Sequence, residues 1–322
     1  MRRLFANANY DFINSRRRAY VISAVAILIS IAAAVFWQTS QGSWINYGVD
    51  FTGGSIMQVR LSPGTGDVGQ VRQVATTAVP GATVTEFGDA NDFLIRTPGT
   101  GSDVATEASR AMMAALNTAF GEANVELERE ESVGAKVGGE LQTRALIAIL
   151  ISLIATLIYI AIRFEWRFGV AAVIATVHDI VLTLGLIAVL RIEVSLTTVA
   201  AVLTILGYSL NDTIVIFDRI RENMATSKRI DFIATLNRSI NDTLPRTVLT
   251  TGTTLATLLA LYLFGGTIIR DFALILIAGI LLGTYSSIWV AAPALLEIEK
   301  RFPHQQKQPR KARTPTARPT RV

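Results

Sequence analysis

The chain has 322 residues, 51% hydrophobic and 17% charged, and its apolar residues gather in runs too long for a soluble core, which reads as an integral membrane protein. The formal charge of +5 follows membrane topology along the chain rather than a nucleic-acid surface, so no nucleic acid is expected as a partner. With no cysteine and only His178 and His304 as imidazoles, a disulfide framework and a thiolate metal site are excluded; no nucleophile constellation, metal cluster or nucleotide loop points to an enzyme or a cofactor.

Residues 1–18 are polar and basic, and a first apolar run, Ala19 to Trp37, places span one at 19–39. The "SRRRAY" and "IAAAV" around it imitate a signal peptide, but the run exceeds the ~7 to 15 residues of a signal core and is read as a retained span. Residues 40–143 then form a separate domain, and from Ser40 to Arg144 the chain holds 7 basic and 13 acidic residues.

Within that domain "VDFTGGSIMQVRL", Val49 to Leu61, reads as an extended strand after a glycine turn, with Ile56 and Gln58 on one face and Met57 and Val59 on the other. "DVGQVRQVATTAV" has helical spacing with Asp67 as its cap. "ATVTEF" and "DFLIRT" are short strands either side of the turn "GDAND". A second helix opens at Ser102 or Asp103 and ends at Gly121, and "NVELEREESV" closes the domain as a strand with Val125, Leu127 and Arg129 on one side. The order strand, helix, strand, strand, helix, strand predicts a ferredoxin-like α+β domain, a fold that carries no activity by itself.

Five more apolar runs occupy 144–300: Ala145 to Ile162, Phe168 to Leu190, Val194 to Phe217, Thr247 to Phe264 and Phe272 to Leu296. Each is near the ~20 residues a helix needs to cross a bilayer, so the fold class is an α-helical membrane protein with six transmembrane helices. Residues 301–322 are rich in Pro, Lys, Arg, Gln and Thr without an apolar pattern, and predict a disordered basic tail. Of the 30 basic residues, 21 lie at the two termini and in the loops between spans two and three and spans four and five. The positive-inside rule therefore sets both termini in the cytoplasm and the domain of 40–143 outside.

Inside this apolar background "GYSLNDTIVIFDRIREN", Gly207 to Asn223, carries Asn211 and Asp212 in span four. A carboxylate there costs about 2.5 to 3.5 kcal/mol on insertion scales, so such residues face a partner or a water-filled path. Tyr208 and Asp212 share a face that Ser209 and Thr213 border. Two partners are open: Arg246, which follows Pro245 at the start of a threonine-rich span five that includes Thr250, and His178 with Asp179 midway along span three. An ionised Asp212 attracts a nearby cation and a protonated one releases it, so proton uptake can switch helix packing.

"DFINSRRRAY" before span one, "VDFTGGS" after it, "GYSLNDTIVIFDRIREN" and "LPRTVLTTGTT" resemble the SecF subunits of the bacterial Sec export machinery, in the SecD/SecF family of the resistance-nodulation-division superfamily. The resemblance runs from about Asn9 to Arg301 and is carried by long, ordered motifs. It implies that Asp212 and Arg246 occupy the family's membrane Asp and Arg positions. It also implies a separate SecD partner with six further spans, and action on a preprotein in the SecYEG channel after the ATPase SecA. YajC would be an accessory partner, and the site an inner membrane and its lipid. The "FDRIREN" segment is a family signature whose role the sequence does not give. The rival readings are a proton-coupled small-molecule exporter of the same superfamily and a non-conducting assembly factor of the translocase.

Overall fold

A computed structural model of the chain describes residues 8–86, 91–98, 102–226 and 231–303. Six helices among them are long and apolar enough to cross a membrane. They are α1 (Arg16–Gln41), α5 (Ala135–Arg163), α6 (Trp166–Val189), α7 (Leu196–Thr226), α8 (Phe232–Phe264), and a last span in which α9 (Gly266–Ser286) passes through a π-helical segment, Ser287–Ala291, into α10 (Ala292–Arg301). The remaining elements are β1 (Asn46–Tyr47), α2 (Val49–Thr52), β2 (Gly54–Leu61), α3 (Val68–Ala78), β3 (Thr83–Glu86), β4 (Asp92–Thr97), α4 (Ser102–Phe120), β5 (Val125–Val133) and β6 (Glu193–Val194). The "GDAND" turn lies partly outside the described residues, and the tail from 304 onward wholly so.

The domain between the first two spans is an antiparallel four-stranded sheet in the order β3-β4-β2-β5, with α3 and α4 on one face. Met57, Val59 and Leu61 of β2, Phe93 and Ile95 of β4 and Met112 and Leu116 of α4 are at most 1% exposed, so the alternation of β2 falls as its sequence implies. Asp67 caps α3 through a reciprocal pair: its carboxylate accepts from Gln70 N at 2.8 Å, and the Gln70 side chain accepts from Asp67 N at 3.2 Å. Two features differ from the sequence reading. Val49–Thr52 is a short helix, and β2 starts only at Gly54, because Gly53 and Gly54 turn the chain at φ of 76° and 124°, angles that side-chain-bearing residues rarely adopt. Arg129 does not share a side with Val125 and Leu127: a register shift skips Glu128, so Leu127 pairs with Val59 and Arg129 with Gln58. The bulge thereby sends Arg129 to the face away from α3 and α4.

That open face leans on the end of the helix bundle. β1 pairs in parallel with β6, in the α6–α7 turn, and the Asp50 carboxylate accepts from Leu196 N at 2.8 Å, capping the start of α7. Arg96 of β4 forms an ion pair with Glu193. Burial lowers the pKa of the Arg96 guanidinium, and the Asp271 carboxylate opposes that shift. Arg191, at φ 54°, closes the same turn against α1: its guanidinium donates to Ser43 O and to Gln41 Oε1 and lies 4.6 Å from the Trp37 ring centroid. A cleft of about 690 Å³ remains between sheet and bundle.

In the bundle, two apolar clusters sandwich a polar layer. Ile187, Ile205, Ile275 and Ile280 pack near the sheet domain, and Phe164, Phe168, Phe217, Ile220 and Leu236 pack at the far end. Helices approach most closely where glycine removes a side chain. A Cβ on Gly185 of α6 would stand 1.9 Å from Ser30 Oγ and 2.3 Å from its Cβ on α1, and one on Gly283 of α9 would stand 2.7 Å from the Ser209 Cβ on α7. Helices α1 and α5 bury little of their length within this chain.

Substituting Gly185→Ala is expected to push α1 off α6 and to cost about 1 to 3 kcal/mol, the usual price of overpacking. Gly207→Ala, where a Cβ meets nothing within 4 Å, serves as the neutral control. Thermal unfolding in detergent reads the difference, and equal melting temperatures for the two variants would contradict the close α1–α6 contact.

Candidate functional site

The polar layer has two centres. In the first, Asp179 of α6 is 1% exposed, accepts from Ser209 Oγ of α7 at 2.5 Å and Ser286 Oγ of α9 at 2.8 Å, and lies 3.1 Å from the neighbouring His178 Nδ1. The other imidazole nitrogen lies 3.0 Å from Ser23 Oγ of α1, which is 3.2 Å from the Tyr285 hydroxyl; that hydroxyl donates to Ala19 O at 2.8 Å. Four helices thus meet through side-chain hydrogen bonds in an otherwise apolar interior.

Asp212 of α7, 3% exposed, forms the second centre. Its Oδ2 has no hydrogen-bond partner, and the groups acting on the carboxylate are the Arg246 guanidinium of α8 and the Thr284 hydroxyl of α9. Thr284 in turn meets Thr251 of α8 at 3.1 Å. The Thr247 hydroxyl, buried one helical turn from Thr251, is also without a partner. Arg246 is exposed and makes no ion pair among the described residues, and it acts on Asp212 through the field.

The candidates from the sequence distribute as follows. Asp212 is buried against Thr284 of α9, with the exposed Arg246 acting on it from α8. Ser209 turns to Asp179 and Thr213 to Ser287 Oγ at 2.8 Å, so Asp179 reaches the face bordering Asp212 and bonds there to Ser209. Asn211 is exposed, and Thr250 donates back to Arg246 O at 3.0 Å on its own helix; neither joins a centre. The sequence reading missed Ser23 and the hydroxyl run Thr284, Tyr285, Ser286 and Ser287, four consecutive polar residues inside span six that are a readable signal. They sit where the helix widens into its π-helical turn, a feature frequent at functional sites.

At the far end the "FDRIREN" segment ties α7 to its neighbours. Phe217 packs edge-on to Phe164 and Phe168 at 6.2 and 5.3 Å. Asp218 accepts from Arg163 at 2.9 Å, Arg219 pairs with Asp242 of α8 at 2.8 Å, and Asn223 donates to Ser239 Oγ at 2.9 Å. A strap, residues 10–15, docks on the same stretch of α8. Asn241 accepts from Tyr10 N at 2.9 Å and donates to Tyr10 O at 2.8 Å, and Asn237 accepts from Ile13 N at 3.0 Å. Asn237 and Asn241, four residues apart, are on one face and read the strap's backbone. Pro245 follows directly and removes a helical N–H just before Arg246.

Replacing Asn241→Ala removes both side-chain hydrogen bonds that hold the Tyr10 backbone, each worth about 0.5 to 1.5 kcal/mol. The expected result is faster proteolytic cleavage of the N-terminal strap with unchanged helix content; cleavage at the unaltered rate would show that the strap is held by other means.

The chain matches the family model for protein export membrane protein SecD/SecF, C-terminal, over residues 112–301, and the SecD/SecF GG motif over residues 42–65, which contains Gly53 and Gly54. It is 43% identical over 310 residues to the protein translocase subunit SecF of Gemmatimonas aurantiaca, covering 94% of this chain and 91% of that one. The corresponding subunit of Rhodothermus marinus is 40% identical, with 93% and 96% covered. The crystal structure of SecDF, a translocon-associated membrane protein from Thermus thermophilus, superposes with a TM-score of 0.75 at 36% identity; the match covers 92% of this chain and 39% of the SecDF chain. A SecDF structure in its super-membrane-facing form gives 0.65. With the C-terminal model and the GG motif both matched and relatives about 40% identical along nearly the whole length, the chain belongs to the SecD/SecF family of protein export membrane proteins.

Proposed function

We propose that the chain works as a SecF-type translocase subunit, converting proton movement through the bundle into movement of its sheet domain during the late stage of protein export. The observation that carries this reading is Asp212, a carboxylate buried among membrane-spanning helices with one oxygen unbonded and a cation nearby. Its ionised form attracts Arg246 across the α7–α8 interface, and protonation cancels that attraction. Each proton that crosses releases about 2.3 kcal/mol per 100 mV of membrane potential. The shift has a path outward: α7 starts at the Asp50 cap, and the turn before it carries the β1–β6 pairing and the Arg96–Glu193 ion pair. A displacement of α7 is therefore delivered to the sheet domain.

The reading places the chain in the inner membrane with both termini in the cytoplasm, the sheet domain of 40–143 outside, and a basic tail from 301 to 322. It pairs the chain with a separate SecD and with SecYEG, a preprotein, SecA upstream and YajC. Support for a second membrane half comes from α8, where Arg246, Thr250, Thr253 and Thr257 form a polar stripe at helical spacing, with Arg246, Thr253 and Thr257 exposed in this chain. An exposed arginine at the head of that stripe does not face lipid without a partner or water. No enzymatic role is proposed.

The test is export into inverted membrane vesicles with and without a proton gradient. Asp212→Asn and Arg246→Met are expected to bring the gradient-driven rate down to that seen without a gradient, with SecA-driven initiation intact. Normal gradient-dependent export by Asp212→Asn would favour a non-conducting assembly factor, and altered solute resistance with normal export would favour a small-molecule exporter.

A further inference from the structure

The two buried carboxylates differ in what surrounds them. Three donors converge on Asp179, from His178, Ser209 and Ser286, the surroundings of an ionised carboxylate. The Ser286 hydrogen goes to that charged acceptor at 2.8 Å in preference to the Gly283 carbonyl at 3.1 Å. With Nδ1 facing an ionised carboxylate, the hydrogen of a neutral ring belongs on Nδ1, and a charged ring differs from it by the hydrogen on Nε2.

A count of hydrogens along the next contacts separates the two states. Tyr285 has one hydroxyl hydrogen and gives it to Ala19 O, so toward Ser23 it can only accept. With a neutral ring, Ser23 gives its single hydrogen to His178 Nε2, and the Ser23–Tyr285 contact at 3.2 Å is left as two oxygens with no hydrogen between them. With a charged ring, Nε2–H donates to Ser23, Ser23 donates to Tyr285 and Tyr285 donates to Ala19 O, so every contact holds one hydrogen. The Tyr285 ring also stacks on the imidazole, with centroids 6.1 Å apart and planes at 26°. Uptake of one proton from solvent takes the buried cluster from one negative charge to none.

We propose that His178 is a second proton-accepting site of the bundle, with Asp179 as its fixed counter-ion. It lies on the α1 and α6 side of α7 and α9, whereas Asp212 lies on the α8 side. The groups that face the ring are Asp179 on its own helix and Tyr285 from α9, with Ser23 from α1; from α7, Ser209 meets Asp179. Among the described residues no lysine, arginine or second carboxylate bonds to the ring. The inference goes beyond the Asp212 reading and does not depend on it.

The experiment uses the membrane complex with its partner subunit, ¹⁵N-labelled at histidine and reconstituted in liposomes. This chain has two histidines, so in His304→Gln complex the imidazole signal that disappears on adding His178→Gln belongs to His178. Solid-state spectra recorded over a series of pH values are expected to show that ring in both its two-proton and its one-proton form. Ser23→Ala, which removes the acceptor for Nε2–H, is expected to lower the charged fraction throughout. A ring that keeps one state at every pH, or a titration indifferent to Ser23→Ala, overturns the proposal. Export assays on Asp212→Asn decide the other reading separately, because loss or survival of gradient-driven export there leaves the His178 spectrum to be read on its own.

Discussion

Taking an ionised carboxylate out of water costs several kcal/mol unless donors replace the lost hydration. An apolar helix bundle can meet that cost by surrounding the group with hydrogen-bond donors, or by leaving it incompletely bonded so that a proton can remove the charge. This chain does both within one layer. Asp179 is supplied with three donors from three residues, and Asp212 keeps an oxygen with none. The first carboxylate is fully bonded and the second is not.

Helices α7 and α9 serve both centres, since Ser209 and Ser286 face Asp179, whereas Asp212 and Thr284 face the other way toward α8. The pair is held at close range, because Gly283 leaves no room between α9 and Ser209, and Gly279 meets Ile205 in the same manner. Packing this close leaves the pair few intermediate positions. The strap and the "FDRIREN" contacts meanwhile hold the far end of α8. Pro245 separates that anchored end from the part carrying Arg246.

The spans were legible because length and hydropathy decide insertion, and Asp212 and Asp179 were legible because a charge in an apolar run has few bland explanations. The order of elements in the sheet domain was legible from alternation and turn residues. What stayed hidden depended on rotation and register. The bulge at Glu128 has no local signature, so Arg129 was set on the wrong side of its strand. Which hydroxyl meets which carboxylate follows from how glycine contacts rotate neighbouring helices, a tertiary property. The helical start at Val49 was obscured by a β-branched and aromatic sequence, Val49, Asp50, Phe51, Thr52, that reads equally well as a strand. The strap was missed because asparagines reading a backbone leave no pattern in the segment that they hold.

Helix α7 runs 31 residues without a proline, from the sheet domain to the knot at the opposite end. At 1.5 Å per residue it is a rod of about 46 Å, longer than the hydrocarbon it crosses by about half. Tilting such a rod by about 10° about one end carries the other through about 8 Å. Asp212 stands about midway along that rod, so a displacement beside it is about doubled at the end farther from the pivot, an output set by leverage that owes nothing to the strength of any bond along the way.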